Sequence, residues 1–145
     1  MPLANLFHRT PRPWTARRVV LNGAALRVLV VDDNHNAALA LAAYLGVEGI
    51  EARAVFGGVE ALDMGRAWTP DVILMDLTMP QCDGFAAARA LRQNPGTSLF
   101  AIVADTALDE TEVRRHLLTG DEFDGYVQKG RPPAELVTLI RILAP

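Results

Sequence analysis

Reactive side chains stand where the apolar runs of this sequence end. In chain order they are Asp32, Asp33, Asp76, Asp105, Thr106 and Lys129. Lys129 is the only lysine in 145 residues, and the other thirteen basic side chains are arginine. Carboxylates, a hydroxyl and a compact ammonium group are what a protein uses to bind a divalent cation and to stabilise a transferring phosphoryl group.

A cluster of these carboxylates would not be stable by itself. Two carboxylates about 4 Å apart repel each other by about 4 kcal/mol at an effective dielectric of 20, so a proton or a cation must lie between them. Oxygen ligands without cysteine or imidazole favour Mg²⁺, with Mn²⁺ as the other candidate. Beside such a cation and a lysine, a carboxylate can attack phosphorus and become an aspartyl phosphate.

A purely structural explanation exists for each acid taken alone. Asp32 and Asp33 are suited to cap the helix that follows them, and Asp76 is suited to begin a turn. The functional explanation is favoured only if the whole set reaches one edge of the fold, which depends on the elements that carry it.

Those elements alternate along the chain. Continuous or partly alternating apolar segments predict five strands, at 27–31, 51–56, 71–76, 100–104 and 126–128. Helical periodicity predicts five helices: one capped by Asn34 and ended by Gly46 and Gly49, then 59–68, 85–93, a helix from the Asp109/Glu112 capping box to about Thr119, and one opened by Pro132-Pro133.

This alternation predicts an α/β fold, a doubly wound parallel sheet of five strands with five helices on its two faces. Ligands of such sheets bind beyond the carboxyl ends of the strands. The reactive side chains all follow strands, so we expect them to converge on that edge. The opposite edge shows no such concentration.

The N-terminal residues differ from the rest. Residues 1–25 carry four arginines and no acid, a charge of +4, whereas residues 26–145 carry −7. We interpret 1–25 as a basic, Pro-containing arm and 26–145 as the domain, and we favour a solvated arm over one bound to nucleic acid or an anionic membrane. The acidic domain itself is not expected to bind DNA. Asn22-Gly23 resembles a hairpin turn, which we expect tertiary context to override.

Composition excludes several other classes. One cysteine, Cys82, allows no internal disulfide, and the three histidines share no ligand spacing with it, which argues against zinc. No apolar run approaches the roughly 20 residues of a membrane span, and residues 1–25 lack the apolar core of a signal peptide. We therefore expect a cytoplasmic protein without membrane contact.

Four motifs together resemble the receiver domain of two-component response regulators. They are VLVVDDN (28–34), VILMDLTMPQCDGF (72–85), AIVADTA (101–107) and YVQKG (126–130), in the order and close to the spacing of that family. The resemblance covers about residues 26–145 and implies a flavodoxin-like sheet of order 2-1-3-4-5.

The resemblance also implies a role for each matching residue. Asp76 matches the phosphoacceptor, Thr106 the hydroxyl that follows the phosphoryl group, and Lys129 the family's lysine. The metal would be held by Asp33 directly, by Asp32 through water, by Asp76 itself and by the backbone carbonyl of Thr78. Tyr126 matches the switch aromatic, and Thr106 shares that switch role.

The sequence departs from the family pattern at two positions. Gly130 replaces the proline that usually follows the lysine through a cis bond, so the peptide Lys129-Gly130 is expected to be trans, or cis under strain. Asp105 replaces an apolar residue, and we favour its interpretation as a solvent-facing strand end. Thr78 and Leu108 hold the variable positions that influence phosphoryl lifetime, and an apolar Leu108 predicts slow self-hydrolysis.

The resulting hypothesis is a stand-alone phosphorelay receiver, since only 16 residues follow Lys129. Its donor would be a histidine kinase or a histidine phosphotransfer protein. Its unknown downstream target would dock on the face of helix four, strand five and helix five. It would not be an enzyme beyond its own Mg-dependent phosphorylation and slow dephosphorylation.

Three alternatives remain open. One is a receiver-like binding module with little or no phosphorylation switching, and another is the receiver portion of a hybrid histidine kinase. The third is a small nucleotide- or flavin-binding protein, for which no phosphate-binding glycine loop is present.

Overall fold

The computed structural model of the chain describes residues 11–79 and 83–145. Five parallel strands form one sheet in the order β2-β1-β3-β4-β5. The strands are β1 (Arg27–Val31), β2 (Glu51–Val55), β3 (Val72–Met75), β4 (Ala101–Thr106) and β5 (Gly125–Gln128). The helices are α1 (His35–Val47), α2 (Gly58–Trp68), α3 (Gly84–Gln93), α4 (Glu110–Arg115) and α5 (Pro133–Leu143). The predicted fold class and strand order are confirmed, whereas Cys82, His8 and Arg9 lie outside the described residues.

Each face of the sheet has its own core, as a doubly wound sheet requires. One core packs α1 and α5 against the strands through side chains such as Leu45 and Leu139. The other packs α2, α3 and α4 through side chains such as Trp68, Leu91 and Val113. Because both faces are covered, the central strands can be apolar at every position, which explains why they appear in the sequence as unbroken runs.

Short polar side chains start three of the helices. Asn34, Asp83 and Asp109 accept hydrogen bonds from the backbone N–H groups of Ala37 (3.0 Å), Ala86 (2.7 Å) and Glu112 (2.8 Å). These bonds satisfy donors that a first helical turn leaves free. The capping role expected of Asn34 and Asp109 is therefore seen in the structure.

The fourth helix is shorter than the sequence predicts. It ends at Arg115, not near Thr119, because the carboxylate of Glu122 accepts the N–H groups of Leu118 (2.6 Å), Thr119 (3.1 Å) and Gly120 (2.8 Å). Burial by itself would raise the pKa of Glu122, but these hydrogen bonds outweigh it and lower the pKa to about 2. The turn is therefore built around an ionised, almost fully buried carboxylate.

The turn at Asn22-Gly23 forms without a hairpin. Both residues have positive φ, 52° and 81°, and the Ala24 N–H donates to the Leu21 carbonyl at 2.9 Å. The residues before the turn are not in a strand, so β1 keeps both of its parallel neighbours, as tertiary context was expected to impose.

The prediction of a solvated arm is wrong for residues 14–19. The Trp14 N–H donates to the Asp124 carbonyl and the Val19 N–H donates to the Leu143 carbonyl, both at 2.7 Å. Residues 14–19 therefore run along the domain beside β5 and the end of α5. Within the described ranges, no helix is long and apolar enough to cross a bilayer.

Candidate functional site

The strand register brings the predicted site residues to one edge of the sheet. The pairing of Val31 with Met75 places Asp32 and Asp76 at adjacent strand ends, where the Asp76 N–H donates to the Val31 carbonyl at 2.9 Å. On the other side, the Lys129 N–H donates to the Thr106 carbonyl at 2.8 Å. The convergence expected from the alternation of elements is thus present in the structure.

Three carboxylates form the acidic part of the site. Asp32, Asp33 and Asp76 each offer an oxygen within 4.8 Å of the others. Asp32 and Asp76 are only 5% and 4% exposed, so water does little to weaken their repulsion. An all-oxygen, anionic donor set of this size is what a hard divalent cation such as Mg²⁺ requires, so the residues fit the metal predicted from the sequence.

Lys129 bridges two of these carboxylates. Its Nζ lies 2.7 Å from Oδ2 of Asp32 and 3.4 Å from Oδ2 of Asp76. Burial alone would lower the pKa of Lys129, but the hydrogen bond to Asp32 and the surrounding negative charge outweigh it and raise the pKa. The ammonium group therefore stays charged and offsets part of the repulsion.

Asp76 is held less firmly in its ionised form. Burial raises its pKa, and neither the Lys129 charge nor the hydrogen bond from the Thr78 N–H fully offsets that effect. The Thr78 hydroxyl also donates to Oδ1 of Asp76, at 3.3 Å. Added positive charge at this site would favour the carboxylate form, which is the form that can attack phosphorus.

Thr106, Leu108 and Tyr126 form a connected series at the end of β4 and on β5. The fully buried Thr106 hydroxyl accepts the Leu108 N–H at 3.3 Å, and the Tyr126 hydroxyl donates to the Leu108 carbonyl at 2.6 Å. The predicted switch residues are therefore linked through the backbone of Leu108. Their roles, and that of the Thr78 carbonyl, stay predictions.

Gly130 and Asp105, the two positions that depart from the family pattern, both differ in the structure from an ordinary loop or strand end. The peptide bond between Lys129 and Gly130 is trans, and Gly130 has a φ of 93°, a region open to glycine but closed to proline. Asp105 is not a fully solvent-facing strand end. It is partly buried, and burial raises its pKa to about 6 even though the Lys129 charge lowers it.

Sequence reasoning missed the residues that bind the arm. Asp124 is fully buried and pairs with Arg17 and Arg92, each at 2.6 Å. The Trp14 ring stacks on Tyr126 with ring centroids 5.8 Å apart. Trp14, between Pro13 and the arginines of the arm, was a signal available in the sequence, because a large aromatic ring gains most by packing against a partner.

The site and the fold agree with what known proteins show. Residues 28–141 match the family model of the response regulator receiver domain. The chain therefore belongs to the response regulator receiver family, whose members bind Mg²⁺ through an acidic cluster and are phosphorylated by histidine kinases.

Curated relatives are longer than this chain. The DNA-binding response regulator MtrA of Mycobacterium tuberculosis (strain ATCC 25618 / H37Rv) is 35% identical over 115 residues, which cover 79% of this chain and 49% of MtrA. The response regulator PleD of Caulobacter vibrioides (strain NA1000 / CB15N) is 41% identical over 83 residues, 57% of this chain and 18% of PleD. The chain thus spans about half the length of MtrA and less of PleD.

Solved structures of receiver domains superpose over most of the chain. The receiver domain of the Francisella response regulator 1452 has a TM-score of 0.71 and 33% identity, covering 81% of this chain and 95% of its own. The BeF3-activated N-terminal receiver domain of Klebsiella pneumoniae RstA has a TM-score of 0.70 and 28% identity, and the match covers 81% of this chain and 97% of the RstA domain.

Proposed function

We propose that this chain is a phosphorelay receiver in which Asp76 accepts a phosphoryl group in a Mg²⁺-dependent reaction. The observation that carries the proposal is the placement of Lys129. Its ammonium group lies against Asp32 and Asp76, while Asp33 completes a set of three carboxylates within 4.8 Å of one another. A buried ion pair costs desolvation free energy and is weak evidence for stability, so this arrangement supports function rather than folding.

Each residue has a defined part in the transfer. A carboxylate oxygen of Asp76 bonds to phosphorus as the P–N bond of a phosphohistidine donor breaks. The bonding pair returns to the imidazole nitrogen, which takes up a proton, and Asp76 becomes a mixed anhydride. In this proposal Lys129 and the Thr106 hydroxyl bind phosphoryl oxygens.

The acidic residues would hold the metal. Asp32, Asp33, Asp76 and the backbone carbonyl of Thr78 are the proposed ligands, with Asp32 acting through water. When bound, Mg²⁺ offsets negative charge on the phosphoryl oxygens. Leu108 offers no side-chain group to position an attacking water, so the proposal includes slow self-hydrolysis and no further enzymatic turnover.

The proposed partners follow from this chemistry. The donor is a histidine kinase or a histidine phosphotransfer protein, and the output is a protein docked on the face of α4, β5 and α5, in the cytoplasm. MtrA is described as DNA-binding, whereas the acidic domain described here is not proposed to contact DNA.

Labelling with a small-molecule phosphodonor tests the proposal. Acetyl phosphate with Mg²⁺ should modify wild-type protein at Asp76, and chelation of the metal should prevent it. Asp76→Ala should abolish the modification, whereas the control Asp63→Asn, at an exposed site on α2, should label normally. Label on Asp76→Ala at the same peptide would contradict the assignment, and decay of the label within seconds would contradict slow self-hydrolysis.

Two observations favour a second candidate, a receiver-like binding module whose conformation changes little on phosphorylation. Asp105 adds a fourth acid beside Lys129, and Gly130 gives the lysine loop a backbone unlike the proline form. Titration with Mg²⁺ and then beryllofluoride separates the two candidates. A thermal shift with each addition supports the receiver, and the absence of any shift supports the inert module.

A further inference from the structure

The N-terminal arm occupies the face from which the proposed output would be delivered. The Trp14 ring lies between Tyr126 of β5, at 5.8 Å and 20° between planes, and the Arg114 guanidinium of α4, at 4.0 Å from the ring centroid. A groove of about 560 Å³ continues from this contact along β5 to α5. Arm and domain line it together, through residues that include Pro11, Pro13, Gln128 and Arg131.

A buried aspartate fixes the arm in this position. Oδ1 of Asp124 accepts hydrogen bonds from the Thr15 hydroxyl and the Arg17 guanidinium, both at 2.6 Å, while Oδ2 pairs with Arg92 at 2.6 Å. The Asp124 carbonyl accepts the Trp14 N–H at 2.7 Å. Asp124 is 0% exposed, so releasing the arm would leave part of a buried charge without its partners.

The same contacts connect the arm to the phosphorylation site. Trp14 touches Tyr126, the Tyr126 hydroxyl binds the Leu108 carbonyl, and the Leu108 N–H binds the Thr106 hydroxyl. A phosphoryl group that draws the Thr106 hydroxyl toward itself would pull on the Leu108 backbone, and through the Tyr126 hydrogen bond on the ring under Trp14; any effect on the arm depends on this shift. Two sites that bias one element are coupled equally in both directions.

We infer that residues 11–19 are an autoinhibitory segment, in which Pro11, Pro13 and Trp14 cover the face of α4, β5 and α5 in the unphosphorylated protein and residues 15–19 anchor them. The segment is released when Asp76 is phosphorylated. The inference rests on the proposed function for its trigger. The occupant is this chain's own arm, bound in cis, and a protein partner would compete with it for Tyr126 and Arg114. By reciprocity, the docked arm weakens the binding of Mg²⁺ and beryllofluoride at Asp76 at equilibrium.

Two measurements on the full chain test this inference. The first is hydrogen exchange of the peptide that contains residues 14–19, with and without Mg²⁺ and beryllofluoride. Exchange of the Trp14 and Val19 amides should rise at least about fivefold on addition, the lower end of usual coupling. The second is the rate of labelling by acetyl phosphate. If the arm-released form is the one that reacts, Trp14→Ala enlarges the released fraction and should raise this rate by a similar factor.

Matched variants separate docking from general damage. Trp14→Phe keeps an aromatic ring on Tyr126 and should label at the wild-type rate, and so should Val20→Ala, whose side chain belongs to an arm residue that is 72% exposed. Each variant is measured at several protein concentrations. A labelling rate or an exchange pattern that depends on concentration would show that the arm binds a second copy and would overturn binding in cis.

The remaining outcomes distinguish the inference from the proposed function. The autoinhibitory role alone is overturned if wild-type Asp76 is labelled but the arm's hydrogen exchange does not change and Trp14→Ala is labelled at the wild-type rate. If the wild-type protein is not labelled and does not respond to beryllofluoride, the proposed function is contradicted, and the autoinhibitory segment loses the phosphorylation that would release it. Both are supported if hydrogen exchange of the arm rises as Asp76 is labelled and Trp14→Ala is labelled faster than wild type.

Discussion

At the residue scale, the single lysine is placed where an arginine would not serve. The Nζ atom approaches carboxylates of two different strands, at 2.7 Å and 3.4 Å, through one compact group. A planar guanidinium is larger and prefers two-point contact with one carboxylate. The arginine-rich composition of the rest of the chain makes the retention of lysine here a specific feature.

Asp105 gives the site a dependence on pH that can be measured. Its pKa is raised to about 6 by burial, against 3.8 for the ordinary side chain, so between these values the folded state holds a proton that the unfolded chain has lost. Stability therefore falls as pH rises from 3.8 to 6, and the penalty is complete above 6. Asp105→Asn removes the ionisation and with it the penalty.

We expect the melting temperature of metal-free Asp105→Asn to equal that of wild type near pH 4 and to exceed it by about 3 °C or more at pH 7.5. Differential scanning calorimetry in a chelating buffer is the measurement. Asp63→Asn, an exposed site, should show no pH-dependent difference. A gain of the same size at both pH values would mean that the substitution acts through packing and not through charge.

At the element scale, the loop between β5 and α5 depends on one backbone conformation. Gly130 has a φ of 93°, and a Cβ added there would meet no heavy atom within 4 Å. Any cost of adding a side chain is therefore a backbone cost and not a clash. Alanine in the left-handed region costs about 1–2 kcal/mol, and proline cannot adopt that φ at all.

Gly130→Ala should lower the free energy of unfolding by about 1–2 kcal/mol in urea titrations, and Gly130→Pro should lower it further. The control is Gly46→Ala, in helix α1, where the added Cβ also meets nothing within 4 Å but the backbone is helical. That change should raise stability by about 0.5–1 kcal/mol. A Gly130→Pro protein as stable as wild type would show that the loop readily takes the proline form.

The elements were predictable where a local rule decides them. The apolar runs gave the strands, and Asn34 and Asp109 gave helix starts, because caps and strand burial act within a few residues. The end of α4 was not predictable, because the N–H groups of Leu118 and Thr119 donate to the side chain of Glu122, which lies later in the chain, and not to a continued helix. The site residues followed from the strand ends, whereas the pKa of Asp105 depends on burial that no local pattern reports.

At the scale of the whole molecule, the arm could not be predicted from its own sequence. The hydrogen bond from Thr15 to Asp124 joins residues 109 positions apart, and no periodicity records a contact of that range. Its composition, basic and interrupted by proline, is typical of a solvated tail. Distant partners, above all the buried Asp124 with Arg92 beside it, make the arm part of the folded domain.

This arrangement predicts that the Asp124 carboxylate stabilises both the docked arm and the domain. Asp124→Ala leaves Arg17 and Arg92 without their common partner and should lower the free energy of unfolding by about 3–5 kcal/mol in urea. The control Asp63→Ala removes an exposed carboxylate, 71% accessible, and should change stability by less than about 0.5 kcal/mol. A loss for Asp124→Ala no larger than that of the control would contradict the anchoring role.

A double-mutant cycle then assigns the part of this energy that belongs to the arm. Arg17→Ala should destabilise the wild-type protein but have almost no effect on Asp124→Ala, since the ion pair is already lost, giving a coupling of about 1–3 kcal/mol. Arg92→Ala should couple to Asp124 in the same way, because both guanidinium groups approach it to 2.6 Å. If Arg92 couples and Arg17 does not, then Asp124 stabilises the domain alone, and the arm is held by Trp14 and the backbone bonds of Trp14 and Val19.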